Sequence, residues 1–152
     1  MVLKRVVKKA NFYIILYWIF LLLNSFLTPA YATDEKASDT YEEKLLHSIN
    51  QYRGRHNAPP LFFDKTLHIL AKAHSHYMRG TNTLDHTNSE DRYRQCKRKI
   101  CVENVGWNFM TPEAQFEAWR VSKGHNINML NKQIRRAGIS KVGSYVTFFA
   151  CD

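Results

Sequence analysis

The sequence predicts an α+β domain, and three observations carry that prediction. Two stretches with helical apolar periodicity come first, Thr111-Pro112-Glu113 is a strong helix start, and two β-branched and aromatic runs parted by Gly143 end the chain. Helices precede strands, the order expected when helices and an antiparallel sheet segregate along the chain.

The first helix starts at Thr40. Thr40 with Glu43 three positions on makes a capping box, and Leu45, Leu46, Ile49 and Tyr52 share one face. Gly54 and Asn57-Ala58-Pro59-Pro60 end it. After an extended Leu61-Phe62-Phe63, Asp64 caps a second helix with Leu67, Leu70, Ala71, His74 and Met78 inward, closed by Gly80. Residues 81–101 lack sustained periodicity and read as a long irregular connection, of the kind that is functional or mobile. Val102 to Trp107 is short and mixed. From Thr111 a third helix carries Phe116 and Trp119 inward and is expected to stop near Gly124, with a short helical turn over Asn126 to Leu130. Gly138 to Val142 and Tyr145 to Phe149 read as a strand pair, and Trp107, Trp119, Phe148 and Phe149 as core.

The first 32 residues have the form of an export signal. Lys4, Arg5, Lys8 and Lys9 precede the apolar run Phe12 to Leu23, and Pro29-Ala30-Tyr31-Ala32 supplies a small-x-small cleavage pattern. Cleavage after Ala32 is expected, with 33–39 as a disordered leader and 40–152 as the domain; an uncleaved anchor is the alternative, and membrane contact is expected only in that case. Four of the 22 basic residues and none of the 13 acidic ones lie before Thr33, so the remaining 120 residues carry a net charge of +5. That length supports one core and one domain, expected to be monomeric. Export argues against nucleic acid as a partner. The stretch holding Arg92, Arg94, Lys97, Arg98 and Lys99 can touch anionic lipids or envelope polymers, and reads most simply as a solvated loop.

Cys96, Cys101 and Cys151 all lie beyond the signal, where oxidation is permitted. Cys96 with Cys101 would close a small loop, and Cys101 with Cys151 would join neighbouring strands; spacing allows both. A terminal cysteine is an odd thing to leave unpaired in an oxidising compartment, so Cys101–Cys151 is the expected bond and Cys96 the spare thiol. A three-cysteine metal site is not expected, since no second close pair accompanies the first.

Of the seven histidines, His47, His56, His68 and His76 sit at helix positions that can face water, and His74 reads as a hydrogen-bonded core residue. His86 and His125 remain. With Glu103 they offer two imidazoles and one carboxylate, enough for a zinc site with an open position if they converge. Ser122 lies three residues before His125 and shares its face on a continued helix, yet no Gly-x-Ser-x-Gly elbow accompanies it, so a serine nucleophile is not expected. Ser122 and Gly124 read equally well as a helix stop, Glu103 as a salt-bridge partner of the preceding arginines, and Asn104 as a side chain serving a neighbouring backbone.

The order of "INQYRGRHNAPPLFFDKTLHILAKAHSHYM", His86, "VENVGW", "EAWRVSKGHNINML" and "AGISKV" before "YVTFF" resembles the CAP superfamily (cysteine-rich secretory, antigen 5, pathogenesis-related-1) in its short bacterial SCP-like form. The resemblance covers about residues 45–150. It implies an α-β-α sandwich with a small antiparallel sheet and a shallow cleft to which His86 and Glu103 belong, with His125 matching the Gly-His of the bacterial motif. Ser122 stands where animal and plant members carry a second glutamate, and the Gly-His-Tyr-Thr-Gln signature is missing. The expected function is therefore an exported domain that binds lipid, envelope polymer or a protein through a polar cleft of His86, Glu103, Asn104, Ser122 and His125, without established catalysis. The alternative is a metal-assisted, peptidase-like hydrolase, with zinc the candidate metal, His86 and His125 as ligands and Glu103 as ligand or general base.

Overall fold

A computed structural model describes residues 39–152. The signal segment and nearly all of the leader lie outside the described residues. Five helices and four strands follow: α1 Tyr41–Arg55, β1 Phe62–Phe63, α2 Lys65–Thr81, α3 Ser89–Cys96, β2 Cys101–Trp107, α4 Pro112–Val121, α5 Lys123–Leu130, β3 Arg136–Val142 and β4 Tyr145–Cys151.

Local chemistry places the helix starts. The Thr40 hydroxyl accepts from Glu43 N while the Glu43 carboxylate accepts from Thr40 N, the complete capping box. Asp64 accepts from Thr66 N and Leu67 N to open α2, and Thr111 accepts from Ala114 N to open α4 with Pro112 at its first position.

The strands form one sheet in the order β1-β3-β4-β2, with β1 parallel to β3 and the other pairs antiparallel. β4 is central, and all seven of its residues are buried. Its alternating side chains serve two cores. Val146, Phe148 and Ala150 meet Leu45, Ile49, Trp119, Met129 and Ile139 under α1, α4 and α5, while Phe149 and Cys151 meet Leu67, Leu70 and Ala71 of α2. Helices thus cover both faces of the sheet, the predicted α-β-α sandwich.

Two glycines set close geometry. A Cβ on Gly138 would lie 2.0 Å from His68 N and 2.2 Å from Leu67 C, so the backbone of α2 rests directly on β3. Gly138→Ala is therefore expected to lose about 2–3 kcal/mol in urea unfolding, because the obstacle is backbone and cannot rotate away. Gly143, at φ +59°, turns β3 into β4 in a conformation a side chain strains.

Four sequence expectations change. Residues 89–96 of the supposed irregular connection are helix α3, and its Arg92 is buried rather than solvated. Gly124 lies inside α5; the break between α4 and α5 falls at Ser122 alone, whose φ and ψ are extended. The mixed run from Val102 is a regular seven-residue strand. Trp107, expected in the core, is 50% exposed at the end of that edge strand.

Candidate functional site

β2 is an edge strand, and its alternation divides the Glu103-Asn104 pair between the two faces of the sheet. Asn104 points to the α5 side. Its Nδ2 donates to His125 O at 3.0 Å, and its Oδ1 accepts from Asn128 Nδ2 at 2.8 Å, which also donates to Glu103 O at 3.1 Å. Buried and bonded through both its nitrogen and its oxygen, Asn104 fastens α5 to β2 and so fixes where the His125 backbone stands.

Glu103 points the other way, between α2 and α3. Its side chain is 1% exposed, which requires compensation of its charge. Arg92 of α3 supplies it with a two-pronged contact, Nε to Oε2 at 2.7 Å and Nη2 to Oε1 at 2.8 Å, while Arg92 Nη1 donates to Thr87 O at 2.7 Å. His86 Nδ1 donates to Glu103 Oε1 at 2.8 Å. A carboxylate only accepts, so Nδ1 of His86 carries a proton, and Nε2 is directed away from Glu103 on a side chain 51% exposed.

His74, on the inner face of α2, completes the surroundings. Its Nε2 donates to Asp85 O at 2.8 Å and lies 3.8 Å from Glu103 Oε1. Burial, the larger influence, pushes the His74 pKa down, against the Asp85 carbonyl and Glu103. His125 is also pushed down, first by burial and then by the nearby His86, and its ring tilts against Trp119 with centroids 6.3 Å apart.

Both depressions have one consequence for stability. Where pH falls through about 6.5, the unfolded chain takes up protons that the folded His74 and His125 resist, so the folded state loses ground until pH passes below the folded values. The melting temperature is expected to fall as pH drops from 7 to 5, with a shallower slope in His125→Asn. A flat profile, or one that rises toward acid, contradicts this.

The structure thus joins His86 to Glu103 and brings His125 near His86 around the open edge of β2. It leaves Ser122 at the helix break without a side-chain capping bond. Arg92 supplies the arginine partner expected for Glu103, and His74 is the hydrogen-bonded core residue expected from its helix face; that His74 also lies beside Glu103 is what spacing did not reveal.

As a zinc site the expected trio does not fit. Among the described residues His86, Glu103 and His125 do not gather as three donors about one point; the side chains that do are Cys96, Cys101 and Cys151. Both Glu103 oxygens are held by Arg92, so the carboxylate orients His86 from behind instead of standing beside it as a ligand. With its side chain 1% exposed and three acceptor positions taken by Arg92 and His86, the carboxylate is also poorly placed to meet a substrate proton as a general base.

A separate groove of about 560 Å³ opens on the far edge of the sheet. It exists because β1 pairs only with Arg136 and Ala137, leaving β3 beyond them without a strand neighbour on the side away from β4. Leu46, Phe63 and Ile139 give it apolar walls, with Lys72 and Lys141 among its polar lining. The β3 backbone there is already occupied, since His68 Nδ1 bonds Ile139 O at 2.7 Å and Glu42 Oε1 accepts from Lys141 N at 2.9 Å. No helix among the described residues is long and apolar enough to cross a membrane.

The comparisons with known proteins agree with this architecture. The family model "CAP: Cysteine-rich secretory protein family" matches residues 46–152. The uncharacterized protein YkwD of Bacillus subtilis (strain 168) is 31% identical over 133 residues, covering 77% of this chain and 52% of the relative, so the chain spans about half the length of that relative. An extracellular SCP-domain protein of Bacillus anthracis str. Ames superposes with a TM-score of 0.69 at 25% identity, over 73% of this chain and 40% of that one. An outer surface protein of Borrelia burgdorferi gives 0.67 at 18% identity, over 72% and 90%. With the sandwich, the divided Glu103-Asn104 pair and the family match over most of its length, this chain belongs to the CAP, cysteine-rich secretory protein family.

Proposed function

We propose that this chain is an exported binding domain whose ligand is a lipid, seated in the groove between α1, α2 and β3, and that the His86-Glu103-His125 edge is a rigid polar surface without hydrolytic chemistry. The observation that carries this reading is the groove itself: Leu46, Phe63 and Ile139 give apolar walls that suit an acyl chain, and its polar lining mixes Lys72 and Lys141, the latter bonded to Gly143 O, with Glu42 and Glu43, so the head group is met by Lys72. A peptide strand suits it less, because the β3 backbone that would pair with it is already bonded to His68 and Glu42. Export is supported by the signal-like first 32 residues and by the extracellular SCP-domain relative. Against catalysis stands the engagement of both Glu103 oxygens by Arg92.

The test is displacement of a fluorescent long-chain fatty acid from the purified domain. Saturable one-to-one binding is expected, weakened about tenfold in the double variant Phe63→Asp, Lys72→Glu, a loss that one apolar and one cationic contact together can supply. Both side chains are exposed, so the fold should tolerate the change. Binding that does not saturate, or that ignores the double variant, contradicts the proposal. So does turnover of a peptide or glycan that His86→Ala abolishes.

A further inference from the structure

We propose that Cys96, Cys101 and Cys151 form one thiol–disulfide exchange centre, in which Cys96 is the attacking thiol and the bond between β2 and β4 can move to join α3 to β2. This goes beyond the binding function and is independent of the groove.

Three elements converge to make the cluster. Cys101 opens β2 and Cys151 closes β4, directly opposite each other in the antiparallel register, with Cα atoms 4.2 Å apart and sulfurs at bonding distance. Cys96 ends α3. The left-handed Lys97 then turns the chain back, and Lys99 N and Ile100 N bond Asp152 Oδ1, holding that turn against the end of β4. The Cys96 sulfur consequently lies 3.2 Å from Cys101 Sγ and 3.6 Å from Cys151 Sγ, in contact with both members of the bond. Its present hydrogen-bond partner is Tyr93 O, at 3.0 Å. Cys96 is the free cysteine among the described residues, and it touches both sulfurs of their one disulfide.

The reaction needs no oxidant or reductant. Cys96 loses its proton to solvent and its thiolate attacks Cys101 Sγ. The Cys96–Cys101 bond forms as the Cys101–Cys151 bond breaks, and the electron pair leaves on Cys151 Sγ, which takes up a proton. The sulfurs form a triangle, so in-line attack requires Cys96 to swing about its Cα–Cβ bond, away from Tyr93 O. Cys101 is the common member of both bonds, so β2 is always tied while its partner changes.

The consequence reaches the polar edge. α3 and β2 are also the two elements joined by Arg92 and Glu103, and Cys101 is two residues from Glu103. With the bond at Cys151 the link between α3 and β2 is electrostatic; with the bond at Cys96 it is covalent as well. Exchange therefore sets how firmly Arg92, Glu103 and His86 are held.

The experiment is non-reducing peptide mapping of the exported protein after acid quench and alkylation. Two linked species are expected, Cys101–Cys151 with Cys96 alkylated and Cys96–Cys101 with Cys151 alkylated, and material enriched in either should relax toward the same mixture at pH 8. Cys96→Ser should abolish the second species, and Cys151→Ser, oxidised with glutathione disulfide, should close Cys96–Cys101. Native Cys101–Cys151 with fully alkylated Cys96 at every time point overturns the proposal. It is equally overturned by a Cys151→Ser variant that remains a dithiol, by dimers joined through Cys96, or by a stoichiometric metal on the three cysteines.

Discussion

Glu103→Ala is expected to destabilise the domain by about 3–5 kcal/mol, the loss that follows when one partner of a buried ion pair is removed and the other stays. Arg92 keeps only Thr87 O as an acceptor in that variant, with its side chain 8% exposed, and His86 loses the carboxylate its Nδ1 donates to. Hydrogen exchange should then quicken over residues 86–96, since Arg92 is the buried side chain of α3. The double variant Arg92→Met, Glu103→Leu separates pairing from packing: apolar replacement of both charges should recover most of the loss. A single-variant loss below about 1 kcal/mol, the range of exposed pairs, would mean that the pair is not the support described here.

The second large effect lies at Arg53→Met, on the opposite side of the sheet. Arg53 is fully buried without a carboxylate, and its guanidinium is spent on carbonyls: Nε donates to Pro59 O at 2.7 Å, Nη1 to Met129 O at 2.6 Å and Asn131 O at 2.9 Å, and Nη2 to Ile134 O at 3.4 Å. Burial, followed by the nearby Arg135, pulls its pKa down to about 10, so the group stays charged at neutral pH. These bonds tie the end of α1 to the chain that follows it and to the segment between α5 and β3. Methionine fills the volume and leaves the carbonyls unpaired, each worth about 1–3 kcal/mol where water cannot reach it. A total loss of about 4 kcal/mol or more is expected, a fall in melting temperature of roughly 15 °C or more. Arg53→Lys should rescue little, since one ammonium cannot span carbonyls placed for a fork.

These two residues also mark what was legible in the sequence. α1, α2 and α4 could be read because capping chemistry and apolar spacing agreed: Thr40, Asp64 and Thr111 cap as expected, and Leu45, Ile49, Leu67 and Trp119 are buried. The β3-β4 pair was equally plain from its β-branched and aromatic runs around Gly143. α3 was hidden because the residue it buries is Arg92, and a helix whose inward position is an arginine leaves no apolar stripe. β2 read as mixed because it buries Glu103 and Asn104 where a half-covered strand would carry apolar side chains. Of the polar edge, His86, Glu103 and His125 stood out as residue types. An arginine partner for Glu103 and a neighbouring backbone for Asn104 could also be read, and both are found; that the arginine is Arg92, holding both Glu103 oxygens, and the backbone is His125 O depends on contacts between separate elements that spacing does not rank. The groove beside β3 was illegible for a related reason, since it results from the brevity of β1 and from side chains of α1 and α2 occupying the β3 edge.

The proposal seats a lipid in the groove and leaves the polar edge free of it, and amide chemical-shift mapping with a soluble medium-chain fatty acid distinguishes the two surfaces directly. The account predicts saturable shifts concentrated at Leu46, Phe63, His68, Lys72 and Ile139, with His86, Glu103 and His125 unmoved. Shifts concentrated at His86, Glu103 and His125, with the groove residues unmoved, would contradict it.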